Sequence, residues 1–129
     1  MKAELDENRP IFLQVKEGIE DDILNGVLKP DEQIPSVRQL VGFYNVNPMT
    51  VLKGVGLLAD EGIAYKKRGE GMFVAPDAPE RLRSRFRDAF SKDRIEPLVR
   101  LAVPLGISLD ELQLMIIRAW EERNHDDSM

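Results

Sequence analysis

The feature that most constrains this chain is a pair of helix-start signals, one soon after the other, in its first half. Ser36 precedes a short apolar-periodic run and is followed three residues later by Gln39. In that arrangement, hydroxyl and carboxamide each bond the other's free backbone N–H. A little further on, Asn47 stands before Pro48. Asparagine is a favoured N-cap, and proline fits the first helical position, where its missing N–H costs nothing. Two short helices, each with its own start and joined by a turn at Tyr44-Asn45-Val46, make a helix-turn-helix. The spacing predicts helices over about 36–43 and 48–60, the second stopping before Gly62.

The flanking sequence extends this unit on both sides. Phe12, Val15, Ile19 and Ile23 recur at three- and four-residue steps, so residues 11–25 read as a helix with one apolar face, ended by Gly26. Residues 28–35, with two prolines and several acidic groups, read as a loop. Beyond the second helix, two extended runs, 63–66 and 72–75, enclose Lys67-Arg68-Gly69-Glu70-Gly71, which reads as a hairpin with a basic tip. Helix, helix-turn-helix and hairpin in that order form a winged helix.

After Pro76 the composition changes. Residues 79–91 could form a helix with Leu82, Phe86, Ala89 and Phe90 on one face, and Pro97 predicts a break or kink between Ser91 and Pro97. Leu98, Leu101 and Ala102 continue an apolar face that Pro104-Leu105-Gly106 ends. Ser108 with Glu111 opens a last helix, expected to run to about Arg123 with NHDDSM frayed. Leu109, Leu112, Ile116, Ala119 and Trp120 share one face of it, and Leu114, Met115 and Ile117 carry apolarity beyond that face. A helix apolar on more than one side needs more than one packing partner. Packing wholly within the chain is the alternative, but a second protomer is the natural cover. The dimerisation residues expected are Leu82, Phe86, Phe90, Leu112, Ile116 and Trp120.

On the helix over 48–60, Val51, Val55 and Leu58 form the stripe that must be buried, which leaves Met49, Lys53, Gly56 and Asp60 outward and Thr50 on a flank. The first residues of such a helix reach base edges in the major groove. Thr50 can hydrogen-bond a base or phosphate, Met49 can touch a thymine methyl, and Lys53 can reach guanine or phosphate. The charge balance alone argues weakly, since 18 basic and 23 acidic residues give a net charge of −5. Residues 36–75, with 5 basic and 3 acidic groups, are nevertheless the only net-positive block, between net −5 in residues 1–35 and net −2 in residues 76–129. A lone lysine on a helix face, a single Arg38 or a basic hairpin tip is in isolation usually just solvated; the order and spacing of all of them together is what carries the reading.

The stretch 26–74 also resembles the GntR family of bacterial regulators. The resemblance rests on Ile34-Pro35-Ser36-Val37-Arg38, the run from Val46 to Val51, Glu61-Gly62, and Arg68-Gly69-Glu70-Gly71-Met72-Phe73-Val74. With residues 10–25 as the first helix, it covers about half of the chain. It implies DNA contacts by Arg38, by Asn47 to Thr50, and by Arg68 and Gly69. The chain departs from the family at Leu52, where many members carry an arginine or glutamine that touches DNA, so Leu52 is left out of the expected site and Lys53 is the candidate to take over its role. The short helical tail with its Leu-Gly-Ile-Ser helix start is similar to the YtrA-like subfamily, in which the tail dimerises and the genes often accompany transporter operons.

Together these readings predict a mainly α fold with a small β-hairpin wing: a winged helix-turn-helix DNA-binding domain over 1–75 and a helical dimerisation domain over 76–129. The expected DNA-binding residues are Arg38, Met49, Thr50, Lys53 and Arg68, with Ser36, Asn47, Lys67 and Gly69 in support. The expected function is a sequence-specific transcription regulator, of repressor type, acting as a homodimer on an inverted-repeat operator. A protein–protein adaptor that has lost DNA binding is the alternative, favoured by the acidic balance and Leu52. Arg81, Arg83, Arg85 and Arg87 could hold a small anionic effector between tail and winged helix, or could form a solvated helix face, the simpler reading. No catalytic set can be built on the single histidine, His125, and the absence of cysteine excludes disulfides and thiolate metal sites. No cofactor or metal is expected. An acidic start without an apolar leader and no apolar run of membrane-spanning length favour the cytoplasm.

Overall fold

A computed structural model describes residues 4–127. The elements are α1 (Ile11–Leu24), α2 (Val37–Tyr44), α3 (Pro48–Asp60), β1 (Ala64–Lys67), β2 (Gly71–Val74), α4 (Ala78–Phe90), α5 (Glu96–Ala102) and α6 (Leu109–Asp127). The chain divides into two compact units, and the boundary falls inside α4, between Phe86 and Arg87.

Local chemistry sets the first unit's helix ends where the sequence places them. The Ser36 hydroxyl accepts from the Gln39 N–H at 3.1 Å while the Gln39 carboxamide accepts from the Ser36 N–H at 2.8 Å, a complete capping box. Asn47 caps α3 by accepting from the Met49 N–H at 2.8 Å, with Pro48 in the first turn. Between them Asn45 ends α2 in the left-handed conformation, which asparagine tolerates better than most residues.

The core of this unit takes Val15, Ile19 and Ile23 from α1, Leu40 and Tyr44 from α2, and Val51, Val55 and Leu58 from α3. Each large aliphatic side chain so buried contributes about 1.5–3 kcal/mol. Helices α1 and α3 cross at Gly54. A Cβ there would stand 2.6 Å from the Phe12 carbonyl oxygen, so only glycine lets the two backbones approach this closely. The wing pairs β1 with β2 antiparallel, Tyr65 opposite Phe73 and Lys67 opposite Gly71. Part of the expected loop joins it: Ile34 N–H donates to Met72 O at 2.9 Å and Val74 N–H to Glu32 O at 2.9 Å, so residues 32–34 lie along the edge of β2.

The start of α4 belongs to this unit, which corrects the expected boundary after residue 75. Ala78 and Leu82 are fully buried in the winged-helix core. Arg81 donates to the Gly62 carbonyl at 3.0 Å. Arg85 pairs with Glu20, a carboxylate only 1% exposed, and lies 3.7 Å from Glu61, which Lys16 also meets at 3.0 Å. Burying a carboxylate is costly unless it is paired and hydrogen-bonded, as this one is. Leu82 is therefore a core residue of the first unit and not the dimerisation residue the periodicity suggested. All four arginines, Arg81, Arg83, Arg85 and Arg87, are exposed, but Arg81 and Arg85 also hold partners in the first unit.

In the second unit the expected break before Pro97 is a single π-helical turn, Ser91–Ile95, in which the Glu96 N–H reaches back five residues to Ser91 O. Proline lacks the N–H for an ordinary helical bond and its ring crowds the carbonyl four residues earlier; widening the preceding turn relieves both without ending the helix. A 3₁₀ turn, Val103–Leu105, and a left-handed Gly106 close α5. The Ser108 hydroxyl accepts from the Glu111 N–H at 3.1 Å, and α6 continues past Arg123 to Asp127, so His125 lies in helix rather than in the frayed end expected. Among residues 87–125, Ala102 alone is buried.

Candidate nucleic-acid interface

The outward face of α3 is built by what its inward face must bury. With Val51, Gly54, Val55 and Leu58 turned to the core, the 3.6-residue period turns Met49, Leu52, Lys53 and Gly56 outward. Met49 is 71% and Leu52 48% exposed. Met49, Thr50, Leu52 and Lys53 line one shallow hollow together with Phe12 of α1. The Lys53 ammonium rests 4.0 Å from the centre of the Phe12 ring, a cation–π contact that draws the lysine back toward α1. Thr50 is half-buried on the flank of the helix.

The remaining expected residues have distinct placements. Arg38 is exposed in the first turn of α2. Ser36 and Asn47 are exposed, but their oxygens are committed to capping, so what they present outward is a helix N-terminus with its free N–H groups, a ready seat for a phosphate. Lys67, Arg68 and Gly69 do not line the α3 hollow; they form the tip of the wing, where Gly69 has φ +80°, a value that strains any side-chain-bearing residue. The tip is braced. Glu70 N–H donates to Lys67 O at 3.0 Å, and the Gln33 carboxamide donates to Glu70 O at 2.7 Å. Tyr65 and Phe73 stack at 5.8 Å, the Lys67 ammonium lies 4.6 Å from the Phe73 ring, and the Tyr65 hydroxyl donates to Asp31 at 2.8 Å. That bond to a carboxylate raises the Tyr65 pKa above its ordinary value.

Sequence reasoning missed Gln33, whose role depends on a contact from far along the chain, and read Phe12 only as part of the apolar face of the first helix, not as the partner of Lys53 across the helix crossing. It set Leu52 aside because of its type, although the helical period that placed Met49 outward also places Leu52 there.

Among the described residues, no group of three His, Asp or Glu side chains could hold a metal ion, and no helix is long and apolar enough to cross a membrane.

Comparison with known proteins places this geometry in context. Residues 12–74 match the family described as bacterial regulatory proteins, gntR family. The chain is 31% identical to the HTH-type transcriptional repressor YtrA of Bacillus subtilis, over 80% of this chain and 78% of that protein. Its match to the HTH-type transcriptional repressor NagR of the same species is 36% identical but spans only 27% of that longer protein. Among solved structures, a regulator of the GntR family from Bacteroides thetaiotaomicron superposes with TM-score 0.64 at 34% identity, covering 88% of this chain and 98% of that one. The AraR DNA-binding domain in complex with operator ORR3 superposes with TM-score 0.51 at 35% identity, covering 58% of this chain and 88% of that one.

Proposed function

Because the chain belongs to the GntR family, in its YtrA-like branch, we propose that this DNA-binding transcription regulator works as a homodimeric repressor on an inverted-repeat operator. The observation that carries this reading is the outward face of α3, capped at Asn47, in a fold shared with an AraR domain held on its operator. In this reading Arg38 and the first turns of α3 contact base edges in the major groove, the N-terminus of α2 holds the backbone, and Lys67 and Arg68 of the wing contact phosphates or the minor groove. YtrA and NagR are named as repressors, which supports repression here. The site of action is the chromosome, hence the cytoplasm of a bacterium.

The homodimer is supported by the second unit. Its helices leave Leu109, Leu114, Met115, Ile116, Ile117 and Trp120 exposed, and Ala102 is its one buried side chain among residues 87–125. So many exposed apolar side chains on one helix support an interface there. One winged helix reads too few base pairs to select a site in a genome, and a two-fold dimer doubles the contacts.

The test is selection of duplexes from a random-sequence pool by the full chain, followed by titration at several salt concentrations. The expected result is an inverted repeat, bound with an affinity that falls steeply as salt rises. Recovery of no preferred sequence, with weak and salt-independent binding, overturns the reading in favour of a protein adaptor.

A further inference from the structure

The outermost side chains of α3 are apolar, on the helix that is to meet a polyanion. Met49 and Leu52 are three residues apart, so they lie side by side on the first two turns. Both are well exposed and share their hollow with Phe12. Lys53, the one cation on this face of the helix, is drawn back onto the Phe12 ring. One turn further along, Gly56 adds no side chain, and a Cβ built there would meet nothing within 4 Å. The leading edge of the helix is therefore an apolar strip followed by a low, open stretch of backbone.

Isolated exposed apolar side chains are ordinary. A paired strip is another matter when the same unit also exposes cations: Arg38 in the first turn of α2, and Lys66, Lys67 and Arg68 on the wing. A duplex matches both features at once. Its phosphates suit the cations, and the floor of its major groove carries one kind of apolar group, the C5 methyl of thymine. An apolar protein surface would match the strip but not the exposed cations of the same unit.

We infer that Met49 and Leu52 form a thymine-methyl reader, so that each operator half-site carries thymines facing them that are recognised through the methyl group rather than through hydrogen bonds. This rests on the DNA-binding reading above and adds to it a specificity-determining residue, Leu52, at the position where an arginine or glutamine is common in the family.

The experiment replaces thymines one at a time by deoxyuridine in the operator selected by the full-length protein. The exchange removes the methyl and leaves every hydrogen-bonding group in place. At the facing thymines the expected loss is about fourfold in affinity for each methyl buried. Elsewhere the exchange is neutral. In Met49→Ala and Leu52→Ala, both at exposed positions, the thymine-to-uracil ratio at the corresponding position falls toward one, while Lys53→Ala leaves it unchanged and lowers the salt dependence. An operator bound well but indifferent to every exchange overturns the inference while leaving the DNA-binding reading intact. A methyl preference that persists in both alanine variants overturns the assignment to these residues. Should combining Met49→Ala with Leu52→Ala instead change the sedimentation of the free protein with operator affinity unaltered, the strip is a contact between copies of this chain and the inference fails. If no duplex is bound at all, both the DNA-binding reading and this inference are overturned.

Discussion

Individual residues divide into those whose role is local and those whose role is set across the fold. Ser36 and Asn47 are of the first kind: an N-cap needs only its own next three residues, so both were legible in the sequence and both make the expected bonds. Leu82 is of the second kind. Periodicity showed that it faces something apolar, but not that the something is the core holding Ile19 and Leu58. For the DNA face, Arg38→Ala and Thr50→Ala are each expected to weaken operator binding by about 1–3 kcal/mol, the range for one base contact. Thermal melts should show both variants folded, and wild-type affinity in both would move the site elsewhere. Tyr44 gives a pH prediction. It is 5% exposed, packs edge-on against Phe43 at 5.0 Å, and its hydroxyl has no hydrogen-bond partner among the described residues. Burial first, then the charges of Asp22 and Asp21, push its pKa from 10.0 up to about 12. The folded state thus holds the proton more tightly than the unfolded chain does. The stability tied to it is fully present below pH 10 and is lost as the pH rises toward about 12. Denaturant unfolding between pH 9 and 12 should decline more steeply for wild type than for Tyr44→Phe, and parallel curves would refute the assignment.

At the scale of elements, type and order were legible and contacts were not. The helix-turn-helix and the hairpin lie within one or two residues of where caps and glycines placed them. The wing's brace was invisible, because Gln33 and Glu70 are far apart in sequence and meet only when residues 32–34 run along β2. The break expected before Pro97 became a π-helical turn, since proline's two faults can be met by widening a helix as well as by ending it. The root of α4 was read as tail because composition changes at Pro76, yet Ala78, Arg81, Leu82 and Arg85 fasten it to the winged helix. Leu82→Ala should accordingly cost about 2–5 kcal/mol of unfolding free energy, as a cavity in a packed core does, and leave the oligomeric state unchanged. A variant of normal stability but altered sedimentation would return Leu82 to the interface. For the wing, replacing Lys67 and Arg68 together by alanine should lower the slope of log affinity against log salt by roughly one unit for each phosphate the wing no longer neutralises. An unchanged slope would place the hairpin away from the DNA.

For the whole molecule the decisive contrast is between the two units. The first closes its own core; the second, with Ala102 its one buried side chain among residues 87–125, leaves most of its apolar surface to water. Helical propensity alone does not hold such a unit together, because helices in proteins gain most of their stability from tertiary packing of an apolar face. In the proposed homodimer a second copy would supply that face by symmetry, each protomer covering the other. Phe90, Ile116 and Trp120 are 54%, 46% and 69% exposed, and Leu112 is half-buried. Trp120 is the best anchor, since an aromatic ring brings large area at small conformational cost. Sedimentation of the full chain at micromolar concentration is expected to give a dimer, and Ile116→Ala with Trp120→Ala to shift it toward monomer. Truncation tests the same point only if the cut respects α4: ending the chain near Pro76 would remove Ala78 and Leu82 from the core and unfold the winged helix, whereas ending it just after Phe86 keeps that core whole. The shorter chain should fold, remain monomeric and bind an inverted repeat far more weakly than the full chain, with each half-site filled independently. A full-length chain that sediments as a monomer and still binds one inverted repeat tightly would overturn the dimer, and the apolar face of α6 would then need another partner.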